Sequence, residues 1–283
     1  KLWASSIESA IREGRHFKGK AGKNFTLNDL SNRFLEHPSL KPKTKIQYGP
    51  QLKWWTDHLG FKCLTDITPD QISRCRDKLL QQGLSHSSAN RYVSALSSAF
   101  GVAVKEYERV EANPCLRLKK LSEPSGRKRF LSDGERQRLL EECKKLGVQQ
   151  LYIIVVLALS TGARKNELRW LRWSDLDLTV GVLIFHDTKN GLTRSVPILN
   201  KGIELLRDWS KHKQNENDLV FPGKNPESPL IFEKSWKKVL KNAGIEDFRF
   251  HDLRHSSASY LIMNGVHLRT VAEILGHKTL NMV

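Results

Sequence analysis

The chain has 283 residues, enough for one large or two ordinary domains each with its own core, and its 39% hydrophobic and 27% charged residues are those of a globular protein. Its 47 Lys and Arg outnumber 30 Asp and Glu, a formal net charge of +17. The basic residues are spread through folded-looking segments, so the expected partner is nucleic acid rather than a membrane surface. The longest apolar run, Leu151 to Leu159, is far short of the ~20 residues that span a bilayer. These 283 residues show no signal-peptide pattern, and Cys63, Cys75, Cys115 and Cys143 form no C-x-x-C pair; free cytosolic thiols, with no bound metal and no cofactor, are expected.

Residues 1–24 begin with a helical-looking Leu2–Arg12 and pass into a Gly/Lys-rich stretch from Gly14 to Lys23 that reads as a linker, its charges either solvated or against phosphates. From Phe25 the pattern becomes a series of helices. Leu27, Leu30, Phe34 and Leu35 share one face, stopped by Pro38. Lys43 to His58 is a second helix, in which Pro50 predicts a kink or break. Thr68-Pro69 is a start signal for a third, ending at Gln82-Gly83. The fourth carries a long apolar stripe of Ala89, Tyr92, Val93, Leu96, Phe100, Ala103, Val104 and Tyr107, ending before Asn113-Pro114. These helices predict a small bundle over residues 25–116. Lys41, Lys43, Lys45, Arg74, Arg76, Arg91 and Lys105 fall off its apolar positions; together they read as a phosphate-tracking face, singly as solvated charge.

Residues 117–129 hold six basic residues (Arg117, Lys119, Lys120, Arg127, Lys128, Arg129), one acid and a Pro-Ser-Gly centre. They predict a basic interdomain linker able to follow a DNA backbone. The second domain, 130–283, starts with a capped helix at Ser132-Asp133 that carries Leu139 and Leu140. Tyr152 to Leu159 is apolar on every side and predicts a buried helix, ending at Ser160-Thr161-Gly162 before a helix that carries Arg164, Glu167 and Leu168. Then the period changes. Val182–Phe185 and Arg194–Ile198 read as strands joined through Thr188-Lys189-Asn190-Gly191, a hairpin with Lys189 at its tip. Helices over Ile203–Ser210 and Phe232–Ala243, with a Pro/Asn-rich loop from Pro222 to Pro229 between them, complete the middle of the domain. Near its end Leu268, Val271, Ala272, Ile274 and Leu275 are core by spacing, and His267 and Arg269 face solvent or DNA.

Four short motifs carry chemistry: Thr161-Gly162-Ala163-Arg164-Lys165-Asn166-Glu167-Leu168, Thr188-Lys189-Asn190-Gly191, His251-Asp252-Leu253-Arg254-His255, and Leu275-Gly276-His277. Arg and His drawn to one place suit the stabilisation of an anionic transition state, such as a phosphate in transfer. His251 and His255 at i, i+4 lack the Glu of H-E-x-x-H and make a poor zinc signal.

In this order, behind a basic helical domain, the motifs resemble the tyrosine recombinases of the phage integrase family, the lambda-type integrases, over roughly residues 25–283. The resemblance implies a mainly α protein: an N-terminal helical core-binding bundle and a mostly helical catalytic domain with a small antiparallel β-sheet. It implies that Arg164 and Arg254 hold the non-bridging oxygens of the scissile phosphate. Lys189 would protonate the leaving 5′ oxygen, His251 would assist proton transfer at the nucleophile, and His277 would bond the phosphate. Glu167 would orient the site from behind. The implied partners are double-stranded DNA, clamped between the two domains, and three further copies in a synaptic tetramer. Cytoplasmic, nucleoid-associated action and no membrane contact go with these.

One element of the family pattern is not among these residues. The family's nucleophile is a Tyr about nine residues past the His277 position, at about position 286, and forms a 3′-phosphotyrosyl link. The tyrosines present are Tyr48, Tyr92, Tyr107, Tyr152 and Tyr260, none at that position, with Tyr260 reading as core. The expectation is therefore a site-specific recombinase of a mobile element, cut short at both ends, whose residues 1–283 bind DNA without cleaving it. The alternatives are a type IB topoisomerase-like enzyme and a DNA-binding protein that has lost catalysis.

Overall fold

The computed structural model describes residues 24–186 and 193–276. They divide into two compact units between Ser125 and Gly126. The helix expected over Leu2–Arg12, the Gly/Lys-rich linker from Gly14 to Lys23, and the hairpin tip lie outside the described residues.

The first unit is a helical bundle of α1 (Leu27–Leu35), α2 (Pro42–Leu59), α3 (Pro69–Gln81) and α4 (His86–Lys105). Their starts are written in the sequence. Thr26 and Asp29 form a reciprocal capping box, as do Thr68 and Gln71, and Ser85 accepts from the Ser88 N–H at the head of α4. Residues three and four apart on each helix then supply one shared core: Leu27, Leu30 and Phe34, Leu52 and Trp55, Ile72, Cys75 and Leu79, Leu96 and Phe100. The buried Trp55 indole N–H donates to the Tyr92 carbonyl at 2.9 Å, fixing α2 against α4. The helix does not break at Pro50: α2 runs on through it. Proline has no N–H for the Ile46 carbonyl, but Ile46 is 78% exposed, so water can satisfy that oxygen.

Part of the basic stretch predicted as a linker is fastened to this bundle. The Asn90 side chain donates to the Leu121 carbonyl (2.9 Å) and accepts from the Leu121 N–H (3.0 Å). Arg76 donates to the Lys119 carbonyl, and His86 to that of Ser122. These bonds order residues 119–122 along α3 and α4 while the Lys119 and Lys120 side chains remain exposed.

The second unit is organised around a helix apolar on all sides. It contains α5 (Asp133–Lys145), α6 (Gln149–Thr161), α7 (Lys165–Arg169), β1 (Leu176–Asp177), β2 (Val182–Phe185), β3 (Arg194–Pro197), α8 (Asn200–Trp209), α9 (Glu233–Asn242), α10 (Asp252–Met263) and α11 (Leu268–Leu275). The run that predicts a buried helix is α6, with Leu151, Ile153, Ile154, Val155, Leu157 and Ala158 all out of water. It packs against α5, α7, α8 and α10. The sheet is antiparallel in the order β1-β2-β3, with Leu183 opposite Val196 and Phe185 opposite Arg194. Pro197 is tolerated because β3 is an edge strand.

Helix α10 has no apolar stripe, because it buries Asp252, Arg254, Ser256 and Ser257 along with Leu253. Ser256 accepts from the Leu131 N–H at 3.0 Å and donates to the Asp252 carbonyl at 2.9 Å, and the half-buried Tyr260 donates from its hydroxyl to the Leu131 carbonyl at 2.8 Å. Tyr260 is thus a structural residue that pins the start of this unit. The core assignment near the end needs one correction. Val271, Ala272 and Leu275 are buried, but Leu268, first residue of α11, is 43% exposed at the helix end.

Candidate active site

Two helix ends build the site. Helix α6 stops at Gly162 (φ +62°) and α11 at Gly276 (φ +67°), both in the left-handed region that glycine enters without Cβ strain. Each stop leaves carbonyl oxygens at the partial negative end of a helix, where cations are favoured. Arg254, on α10 and only 5% exposed, lies between them: it donates to the Gly162 carbonyl at 2.7 Å and the Leu275 carbonyl at 2.6 Å. Arg164, just after the α6 stop, donates weakly to the Gly276 carbonyl at 3.4 Å. The two arginines expected to hold one phosphate are therefore bonded to adjacent carbonyls of one turn.

Glu167 fixes Arg164 from behind. One turn into α7, its carboxylate accepts from the Arg164 N–H (2.8 Å) and from Arg164 Nη1 (2.7 Å). It also takes a two-pronged bond from Arg194 of β3, at 3.0 Å and 2.6 Å. Its side chain is 12% exposed. Burial alone would raise its pKa, but the Arg194 and Arg164 bonds win and hold it at about 2. Three guanidinium groups around one carboxylate leave the cluster at net +2. The strain shows on Arg254, where burial first, then the charges of Arg164 and Arg194, bring its pKa down to about 10. It stays protonated at neutral pH, so the cluster keeps a net positive charge that an anionic phosphate would offset.

His251 stands at the head of α10 on an exposed surface. Partial burial of its ring, then the nearby positive groups His255, Arg254 and Arg164, lower its pKa from 6.5. A neutral imidazole at physiological pH is the form that takes a proton. The His251 and His255 rings stand edge-on, centroids 5.6 Å apart. Among the described residues, no three His, Cys, Asp or Glu are grouped as metal ligands.

The structure thus brings together Arg164, Glu167, Arg254 and His251. Lys189 and His277 lie outside the described residues, although Phe185 and Arg194, the last registered pair before the expected hairpin tip, and Gly276 are described. Arg194 was missed by sequence reasoning. A signal existed: it shares strand parity with the buried Val196, so it faces inward. The basic residues divide into two groups. Lys41, Lys43, Arg91, Arg117, Lys119, Lys120 and Lys128 are exposed, and Lys45 half-buried. Arg127 instead bonds Asp247 and Asp252, each at 3.0 Å, and Arg129 pairs with Glu135, so both are spent on the second unit's own acids.

The model of the phage integrase family matches residues 129–283, and that of the phage integrase N-terminal SAM-like domain matches residues 32–107. The shufflon-specific DNA recombinase of Escherichia coli is 29% identical over 234 residues, 80% of this chain and 59% of that protein. The Tn1549 transposon integrase, solved with a circular intermediate DNA, has the same fold at a TM-score of 0.76 and 19% identity, over 92% of this chain and 93% of that one. A lambda integrase tetramer bound to a Holliday junction gives 0.71 at 23% identity, over 92% and 76%. The chain spans 51–59% of the length of two curated relatives it matches. With more than half of its residues matched by the family's catalytic model, the chain belongs to the phage integrase family.

Proposed function

We propose that the protein is a site-specific DNA recombinase of a mobile element, which cuts and rejoins duplex DNA through a 3′-phosphotyrosyl intermediate. The observation that supports this best is the arginine cluster. Arg254 and Arg164 are held by helix-end carbonyls and by Glu167, with guanidinium N–H groups left for the two non-bridging oxygens of a phosphate. Their charge is preorganised, so it stabilises the pentacovalent transition state without reorganisation.

In this mechanism the attacking group is a tyrosine hydroxyl at about position 286, beyond Val283, whose proton passes to neutral His251. The tyrosyl oxygen bonds to phosphorus as the bond to the 5′ oxygen breaks. Lys189, in the segment between β2 and β3, protonates that leaving oxygen, and His277 bonds the phosphate. Attack by a second strand's 5′ hydroxyl reverses the steps, so bond energy is conserved without ATP. Lys41, Lys43, Lys45, Arg91, Arg117, Lys119, Lys120 and Lys128 contact the DNA backbone, and four protomers assemble the synapse on nucleoid DNA in the cytoplasm.

The test is strand exchange by the full-length protein on a duplex from its own element's ends, beside relaxation of a supercoiled plasmid. Exchange through a covalent protein–DNA adduct is the expected result. Relaxation without exchange would make it a topoisomerase, and binding without any adduct would remove the enzymatic reading. Residues 1–283 alone are expected to bind the same DNA and form no adduct.

A further inference from the structure

Arg194 lies on the inward face of β3 with Val196, and its charged side chain is only 8% exposed. Its Nε donates to the Ile274 carbonyl at 3.1 Å, and its two Nη atoms grip both oxygens of Glu167. Its guanidinium carbon stands 4.6 Å from the centroid of the Phe185 ring, its partner across the hairpin stem. One side chain therefore ties β3 to α7 and to the last turn of α11. The fit leaves no slack: a Cβ at Gly276 would come within 3.1 Å of Arg194 Cδ and Nη1.

These contacts lie on the routes to Arg164, Arg254 and the β2–β3 hairpin. Glu167 passes the restraint to Arg164. The end of α11 supplies the Leu275 carbonyl to Arg254 and the Gly276 carbonyl to Arg164. Residue 194 also closes the hairpin stem whose intervening residues include Lys189. Both prongs and the Nε–H are already used, so the group is not itself free to grip a phosphate in the two-pronged manner.

We infer that Arg194 is a positioning residue for the proposed strand transfer. It locks the Glu167 carboxylate and the α11 stop so that Arg164 and Arg254 meet the phosphate in register with the hairpin. This rests on the recombinase reading. Lysine does not replace it, because a single ammonium cannot bridge two carboxylate oxygens and a carbonyl together.

The test uses full-length wild type, Arg194→Gln, Arg194→Lys, Glu167→Gln and the Arg194→Gln/Glu167→Gln double variant. Adduct formation is timed on a nicked duplex across pH, and duplex affinity is measured alongside. Arg194→Gln is expected to slow adduct formation by on the order of a hundredfold, the scale of a misplaced catalytic group, with duplex affinity held within about twofold. The Glu167 carboxyl, followed by carbon-13 titration, should move upward as it loses its strongest partner. Arg194→Lys, which keeps the charge and guards against a folding failure, should remain slow. In the double variant the losses should not multiply, because Arg194 acts through Glu167. Full activity in Arg194→Lys, or losses that multiply with an unmoved Glu167 titration, overturns the proposal. Wild-type protein that forms no adduct overturns the recombinase reading instead. In that event carbon-13 titration of the Glu167 carboxyl in wild type and Arg194→Lys still decides whether Arg194 holds it: an upward move is expected, and an unchanged titration refutes it.

Discussion

Replacing Glu167 with Gln removes the carboxylate that Arg164 and Arg194 share and that offsets the charge of Arg254. Folding holds its pKa at about 2 against 4.5 for a free side chain. A depression of that size, on a group 12% exposed, is worth about 3 kcal/mol of folding stability at neutral pH. The sign is that of a lowered carboxylate: the contribution is fully present above the unfolded value of 4.5 and is lost as pH falls through about 2. Removing one partner of a buried ionic network costs a similar about 3–5 kcal/mol, since the cations left behind stay desolvated. For a domain the size of the second unit this lowers Tm by roughly 6–12 °C. Differential scanning calorimetry of wild type and variant at pH 7, repeated toward pH 3, measures it. The gap should shrink at low pH, where protonated Glu167 resembles Gln. A gap below about 2 °C at pH 7, or one that ignores pH, would refute the assignment of Glu167 as the keystone of the arginine cluster.

Gly162→Ala should destabilise the second unit by about 2–4 kcal/mol, from left-handed strain plus overpacking, because the new Cβ would lie 2.2 Å from Leu275 Cδ2; a urea midpoint within error of wild type would contradict this. Lys128→Ala should reduce the slope of log affinity for DNA against log salt by about 1, whereas Arg127→Ala, which deprives buried Asp252 of a partner, should lower Tm and leave the slope alone. The reverse pattern in binding titrations would reassign both residues. Because His251 is pushed below 6.5, adduct formation should keep its full rate on the acid side to below that pH and fall only as His251 gains a proton; an acid limb at or above 6.5 that vanishes in His251→Gln would show the shift runs the other way.

The parts of the fold legible in the sequence were those governed by local patterns. Helix α6 announced itself by apolar residues on every side, α3 by Thr68-Pro69, and the β2–β3 pairing by apolar runs either side of an Asn-Gly. Tertiary partners were not legible. Arg127 looked like DNA-directed charge because Asp247 and Asp252 lie more than a hundred residues away in the chain, and Arg129 because its partner Glu135 sits across the turn into α5. Arg194 was not singled out because its partners sit on α7 and at the end of α11. Leu268 fits the apolar spacing of α11, yet nothing local shows that the first turn protrudes. Nor did the motifs reveal why two glycines flank the arginines. The reason is that both helices end there in a left-handed residue, turning their last carbonyls onto Arg254 and Arg164.

The central claim, that Arg164 and Arg254 activate a phosphodiester for attack by a tyrosine, is tested most directly by mass spectrometry of the protein–DNA adduct. Full-length wild type, Arg164→Ala and Arg254→Ala would each be trapped on a nicked duplex. The account predicts a 3′-phosphotyrosyl peptide from the segment after His277 in wild type. Both variants should lose the adduct by at least about a thousandfold while duplex binding is retained. An adduct of undiminished yield in either variant, or one carried by Tyr260 or another residue of the folded units, would contradict it.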